Sequence, residues 1–339
     1  MKKTILAIFL FVLPVCAFAQ SVLDNTQVRL FSHAEYSAIA KDTSNKFNHH
    51  IEIGDIELLI TSQITDRLSV LAEIIHTPDA GVELDRMMIK YEINDYFHLS
   101  AGKLYSPLGF WNTTFYHHAR VLSPTIDHPV VIADASDFGV LNNKNTGIQI
   151  GGENISKLRF GYRVIVGNGL SDLFGNTQRL QNVGYNFFVE PVDNLKFGVS
   201  GQFESMKAGS FTSAGQLQEG ATFSTLNASV MYMGRNKFEF ASEFYQNQSS
   251  SSATGSKNFN AFFAYAGYKL KKVTPYFMYN KTSYDAGQQV YLKNNFTGST
   301  IGLRYSISPL AILKLEAQFM EADEFQKLNR IEMMWAVGF

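Results

Sequence analysis

The stretch that most constrains this chain is its last, from Asn329 to Phe339. Ile331, Met333, Trp335, Val337 and Phe339 alternate there with Arg330, Glu332, Met334, Ala336 and Gly338. Successive side chains of a strand point to opposite faces. This strand is therefore expected to carry one oily, aromatic face and one charged or small face. A soluble sandwich strand shares that alternation, but here the apolar face runs to a terminal Phe with no polar tail after it. In water such a ring would fray beside the carboxylate. At a membrane interface it sits where an aromatic girdle is expected.

The other end of the sequence agrees. Lys2 and Lys3 precede an apolar run from Ile5 to Val15, followed by Ala17-Phe18-Ala19. That is the pattern of a secretory signal peptide, expected to span 1–19 and to be removed. The run is too short to cross a bilayer as a helix. Cys16 invites a lipoprotein reading, but Pro14 and Val15 match a lipobox poorly, and cleavage after Ala19 would discard the cysteine. The remainder, 20–339, is expected to form a single domain without disulfides. It contains no apolar run of transmembrane-helix length. With 28 Phe and 16 Tyr against 8 Pro, the composition favours strands. A formal net charge of −1 gives no sign of a nucleic-acid partner.

Alternating segments recur roughly every 20 residues, the spacing of a membrane strand plus its connection. Strands are expected at 27–38, 48–62, 67–77, 82–93, 96–105, 143–152, 156–167 and 179–190. They continue at 194–206, 221–233, 236–248, 258–270, 272–284, 295–307, 309–321 and 328–339. The odd-to-even connections are the longer ones (39–47, 106–142, 168–178, 207–220, 249–257, 285–294), and the even-to-odd ones are tight. Short turns on one side and long loops on the other, with an even strand number, describe a transmembrane antiparallel β-barrel. The expectation is all-β with 16 strands, or 14 or 18 if a hairpin is miscounted.

The faces strengthen this. Leu158, Phe160, Tyr162, Val164 and Val166 oppose Arg159, Gly161 and Arg163. Leu195, Phe197, Val199 and Phe203 oppose Lys196, Ser200, Gln202 and Glu204. The same holds for Phe238, Phe240 and Phe244 against Glu239 and Glu243, and for Leu313, Leu315 and Phe319 against Lys314, Glu316 and Gln318. Ile301 and Leu303 oppose Arg304. A Lys or Arg facing lipid at midplane costs about 2–4 kcal/mol, so the charges are expected to line a wet interior. A small soluble barrel would instead fill its interior with apolar side chains. Two places break the alternation: the faces exchange near Gly54, as a bulge would make them, and Lys103 shares the parity of Leu99 and Ala101. For Lys103 two readings stand, snorkelling at the rim or a bulge at Gly102 that turns it inward.

The closing strand resembles the C-terminal strand of bacterial outer-membrane barrels, in which a terminal Phe belongs to the signal read by the barrel-assembly machinery. That resemblance assigns Trp335 and Phe339 to an assembly signal. The stretch Gly102-Lys103-Leu104-Tyr105-Ser106-Pro107-Leu108-Gly109-Phe110-Trp111-Asn112-Thr113 is similar to a segment of the porin O/P-type family of Gram-negative channels. It implies a sixteen-stranded barrel whose third external loop, here 106–142, folds into the lumen and narrows it. Phosphate-selective members carry rows of Arg and Lys. Here Arg159 and Arg163 are joined by Glu204, Glu239, Glu243 and Glu316, and that mixture speaks against phosphate selectivity.

The expected function is an outer-membrane porin passing small hydrophilic solutes or ions. Candidate pore-lining or constriction residues are Arg86, Lys90, Arg120, Asp127, Asp134, Asp137, Arg159, Arg163, Lys196, Glu204, Glu239, Glu243, Arg304, Lys314 and Glu316. The alternative is a structural or assembly barrel with a plugged lumen. His49-His50 and His117-His118 are poor chelates, because neighbours on a strand point apart, and no Cys or H-E-x-x-H accompanies them. No G-x-S-x-G is present, and His76 near Asp79 reads as rim polarity, so neither an enzyme nor a cofactor is expected. The Ser- and Gly-rich stretches 209–220 and 249–256 read as mobile external loops. The partners expected are outer-membrane lipid, the barrel-assembly machinery and the permeating solutes, with a homotrimer as the assembly and no nucleic acid.

Overall fold

A computed structural model describes residues 25–41, 46–78, 81–132, 143–169, 182–206, 208, 220–234, 237–285, 295–323 and 327–339. The signal-peptide segment, Asp134, Asp137, Asp79 and most of 209–220 lie outside them. The described chain is a closed antiparallel barrel in which every strand pairs with its sequence neighbours and the first pairs with the last. The strands are β1 (Thr26–Lys41), β2 (Asn48–Gln63), β3 (Leu68–Thr77), β4 (Gly81–Asn94), β5 (Phe97–Tyr105), β6 (Lys144–Ile155), β7 (Phe160–Gly167) and β8 (Asn182–Val192). They are followed by β9 (Leu195–Met206), β10 (Ala221–Tyr232), β11 (Phe238–Ser251), β12 (Gly255–Tyr268), β13 (Val273–Tyr284), β14 (Phe296–Ser308), β15 (Ala311–Ala322) and β16 (Leu328–Gly338). A short helix, α1 (Phe110–Phe115), and a 3₁₀ turn, Val130–Ile132, lie between β5 and β6.

Closure satisfies the last residue. Phe339 donates to Leu30 O at 3.0 Å and accepts from Leu30 N–H at 2.9 Å, extending the β1–β16 ladder to the end of the chain. No strand edge is then left unpaired in hydrocarbon. The short connections cluster at the end where β1 begins and β16 finishes; one two-residue turn is Lys271-Lys272, bracketed by paired Leu270–Val273 hydrogen bonds of 2.7 and 3.0 Å. Lys271 has the positive φ (56°) that such a hairpin demands.

The outer face is apolar as expected. Phe197, Phe240, Leu315 and Trp335 are exposed, and Phe160 stacks on Phe187 and Tyr162 along the same surface. Tyr91, Tyr162, Phe238, Tyr268 and Tyr305 ring the turn end. The inner face is polar and largely buried: Asn186, Ser200, Asn227, Glu239, Glu243, Lys314, Glu316 and Glu332 all lie below 10% exposure. An interior this polar and this buried must be filled by something besides water.

Three boundaries differ from the sequence expectation. The seventh strand begins at Phe160, because Asn154, Ser156 and Arg159 adopt positive φ and 156–159 forms a turn. Arg159 therefore sits in that turn rather than on the wall. The Ser-rich 249–256 stretch is mostly strand, with only 252–254 left as a turn. Ladder pairing reaches Ser251 and Gly255, helped by Ser250–Ser256 (3.1 Å) and Ser251–Thr254 (2.8 Å) hydroxyl contacts. Nor is every connection at the loop end long, since β3 and β4 are joined by 78–80 alone. The exchange of faces near Gly54 is a bulge: the register slips by one residue in β2 opposite Ser32 and Ala34. Lys103 pairs with Met87 on the outer face, and its Nζ turns to Leu84 O at 2.9 Å.

Candidate functional site

The site is the lumen together with the connection that enters it. Asn112 ties the neck of the third loop: its Nδ2 donates to Ser106 O at 2.9 Å and to Asn143 O at 3.2 Å. Asn143 in turn donates to Ile132 O at 2.8 Å. The chain then turns inward at Gly109, whose φ of 69° favours glycine. A Cβ at that position would meet the Glu243 carboxyl and the Tyr245 hydroxyl.

Past Gly109 the loop docks on the far wall. Glu243 Oε1 on β11 accepts the N–H groups of Phe110 (2.8 Å) and Trp111 (2.7 Å), two donors that α1 cannot satisfy itself. Tyr245 donates to the other oxygen of the same carboxyl. Gly109 N–H reaches Ser200 Oγ (3.0 Å), and Asn186 Nδ2 reaches Pro107 O (3.1 Å). Leu108, Phe110, Trp111, Val131 and Ile132 bury themselves against Tyr245, Phe259, Phe263 and Tyr265. Gly198 provides the hollow beneath the Phe110 ring, where any Cβ would collide.

A second arm crosses to the opposite wall. His118 Nδ1 lies 2.6 Å from Asp55 on β2, and Nε2 lies 3.5 Å from Asp85 on β4, which Lys144 also engages. Lys314 Nζ donates to Arg120 O (2.8 Å) and Thr125 O (2.6 Å); Glu316 accepts Ile126 N–H (2.7 Å) and the Tyr276 hydroxyl (2.7 Å). Arg304 holds Pro124 O at 3.0 Å and Glu239 at 2.7 Å, while Arg330 pairs with Asp127. Ala119, Val121 and Ile126 pack on Phe31, Ile312, Met334 and Ala336. One loop that touches β2, β4, β9, β11, β15 and β16 can do so only from inside the barrel.

The loop histidines split by environment. Burial works against charge on His118, but hydrogen bonds to Asp55 and Asp85 outweigh it and raise the imidazole to about 9. Burial, reinforced by Arg120, pushes His117 down to about 3 and holds His128 well below the usual range. His128 Nε2 accordingly stands 2.8 Å from Arg120 as an acceptor. His49 stacks on Tyr36 and His50 contacts Glu52, both near the exposed loop end of β2.

The described candidate pore residues therefore fall into four groups. Arg120, Asp127, Glu239, Glu243, Arg304, Lys314 and Glu316 are brought together as anchors of the loop. Glu204 is buried and accepts from Asn182 and Gln202. Arg159 holds Glu190 and Asp193 at the turn end. Lys196 stands on β9, and Arg86, Lys90 and Arg163 project from the β4–β7 wall that the loop leaves open. There Arg86 makes a two-point contact with Glu73, Lys90 bonds Glu92 at 2.6 Å, and Arg163 bonds Glu153 at 2.6 Å. Lys196 lies over the Phe188 ring. Asp55, Asp85, Ser100, Tyr105 and Glu153 are site residues that sequence reading missed. Asp55 was signalled by the bulge at Gly54, and Glu153 by its inward parity two positions beyond Gly151, the residue paired with Arg163.

Two cavities flank the loop on the turn side. One, of about 390 Å³, runs along β4–β7 from Asp95 and Asn154 to Tyr105, and the loop contributes only Thr113 to it. The other, of about 530 Å³, is roofed by the loop itself through Phe115, Val121, Leu122, Ser123 and Pro124.

A sixteen-stranded barrel, apolar outside and charged inside, with the third connection of its loop end folded inward, defines the class: an integral outer-membrane-type β-barrel of porin architecture. No family model matches the chain, and no curated protein matches it in sequence. Solved structures share the fold. An anion-selective porin from Comamonas acidovorans superposes with a TM-score of 0.68 at 11% identity, covering 93% of this chain and 100% of that one. OmpT of Vibrio cholerae lacking its loop L8 gives 0.64 at 12% identity over 93% and 100%. OmpF of Salmonella typhi in complex with daunomycin gives 0.64 at 10% over 93% and 98%.

Proposed function

We propose that this protein is an outer-membrane porin that passes small hydrophilic solutes by diffusion along the β4–β7 side of its lumen. The carrying observation is the asymmetry of loop docking. Residues 107–111 and 119–127 are bonded to the β8–β16 wall, whereas only Thr113 reaches into the β4–β7 cavity. That cavity is lined by charges that a low-dielectric lumen screens weakly, so they set ion preference more strongly than surface charges would. The comparison structures supply the fold to which such a role belongs. The narrower kinship, to porin O/P-type channels, is supported by 102–113, whose Gly109, Trp111 and Asn112 steer and anchor the loop. A homotrimer remains the proposed assembly.

The test is planar-bilayer recording of the purified protein beside a variant in which 108–132 is replaced by a short Gly-Ser linker. Discrete channels that enlarge in the variant support the proposal. Silence from folded wild type, with channels only in the variant, would instead identify a barrel plugged by its loop.

A further inference from the structure

We infer that the cavity roofed by the loop at the turn end of the barrel binds small organic anions with an apolar body, such as aryl or short alkyl carboxylates. It lies across the lumen from β4–β7, so the inference does not depend on the proposed passage. Two cations line it. Thr274 pairs with Arg304, and Lys272 O accepts Ser306 N–H at 2.8 Å, which makes Lys272 and Arg304 diagonal neighbours on the inner faces of β13 and β14. Neighbouring like charges on one face of a sheet repel. Glu239 is the one carboxylate among the described lining residues, and it is already held by Arg304 at 2.7 Å and Lys269 at 3.3 Å. Lys272 is exposed and pairs with no carboxylate among the described residues; its Nζ meets Ile307 O at a long 3.4 Å. An anion entering here gains a charge-assisted partner without displacing an existing ion pair.

The rest of the cavity is apolar. Phe115 and Leu122 face it from the loop, Met233 and Ile312 from the wall. Leu122 is 46% exposed although its neighbours Val121 and Ser123 are buried, so the loop presents an uncovered leucine to this space. Ser306 pairs with Ile312 as well as with Lys272, which puts the cation and the aliphatic wall two strand spacings apart, about 10 Å between main chains. A volume of about 530 Å³ is within the range that small ligands occupy. An inorganic anion would leave Leu122 wet, and an uncharged ligand would leave Lys272 unpaired. A cation would be repelled. An anion carried on a ring or short chain satisfies both sides of the cavity at once.

The test is a fluorine NMR titration of the purified barrel in detergent with para-fluorophenylacetate, compared with the uncharged alcohol of the same body, para-fluorophenylethanol, and with protein-free micelles as the blank. The acid is expected to bind about tenfold more tightly than the alcohol, the difference between a charge-assisted and a neutral hydrogen bond. Lys272→Gln should erase that advantage, and Leu122→Ser should weaken both ligands alike, by about fivefold. Both side chains are exposed, so neither substitution threatens the fold. An acid that binds no more tightly than the alcohol overturns the inference. So does an advantage that survives Lys272→Gln, or binding of both ligands that is indifferent to Leu122→Ser. The readout is binding at equilibrium, so it stands or falls separately from conduction through the lumen.

Discussion

Removing the Glu243 carboxyl should release the inner loop without opening the barrel. In Glu243→Ala the N–H groups of Phe110 and Trp111 and the hydroxyl of Tyr245 lose their common acceptor inside the wall. An orphaned buried donor costs about 1–3 kcal/mol, so three of them strain the docked state by about 3–9 kcal/mol. Even the lower figure shifts a docked–undocked equilibrium about a hundredfold. The main chain of Glu243 keeps its pairing with Ser229 and Phe263, so the wall is untouched. Glu243→Gln retains one acceptor oxygen and should cost only about 1–2 kcal/mol. Trp111 is fully buried among Phe115, Phe263 and Tyr265 and reports docking directly. The chain has one other tryptophan, Trp335, so a Trp335→Phe background isolates the signal. The expected result is red-shifted Trp111 emission and noisier, larger conductance in Glu243→Ala, with Glu243→Gln between it and wild type. Unchanged emission and conductance in Glu243→Ala would refute the account of how the loop is held.

Gly109→Ala should loosen the same dock, since it combines a disfavoured positive φ with a collision against Glu243 and Tyr245; Trp111 emission reads the effect. Arg163→Gln should move the reversal potential in a salt gradient towards cation preference, because Glu153 loses its partner beside the passage. The His118 bridge should weaken in alkali: with the imidazole raised to about 9, its contribution is complete below about pH 6.5 and fades as pH passes through about 9. Trp111 emission should therefore shift at alkaline pH in wild type but not in His118→Gln. Phe339→Ala should lower the amount of heat-modifiable barrel in cells well beyond the loss of one exposed ring, if the terminal strand is read during assembly; normal levels would count against that role.

The wall was legible in the sequence because a two-residue alternation is a local property. Phe197, Phe240, Leu315 and Trp335 face outward as their parity required, and even the Gly54 bulge left a visible phase change. The inward course of the loop was implied by the resemblance of 102–113, but its docking partners were not legible, since Glu243, Lys314 and Glu316 are joined to 110–126 across more than a hundred residues. As strand residues their inward parity made them pore charges. Only the fold shows that their hydrogen-bonding capacity is consumed by loop backbone. The open face failed to stand out for the converse reason: Ser100 and Gln149 are ordinary inward residues in sequence, and only the loop's absence from their side distinguishes them. Arg159 was misplaced because three non-glycine positive-φ residues in one turn leave no pattern in alternation.

The claim that solutes pass along β4–β7 can be tested by blocking that side alone. Cys16 is the chain's single cysteine and lies outside the described barrel, so in a Cys16→Ser background one introduced thiol is the only target. Met88→Cys places it in the open cavity, at a partly exposed position; Asn227→Cys places it on the wall beneath the docked loop. During bilayer recording, a bulky charged methanethiosulfonate added to the bath should sharply reduce the conductance of Met88→Cys channels and leave Asn227→Cys channels unchanged. A block at Asn227→Cys with none at Met88→Cys would put the passage on the other side of the loop and contradict the account.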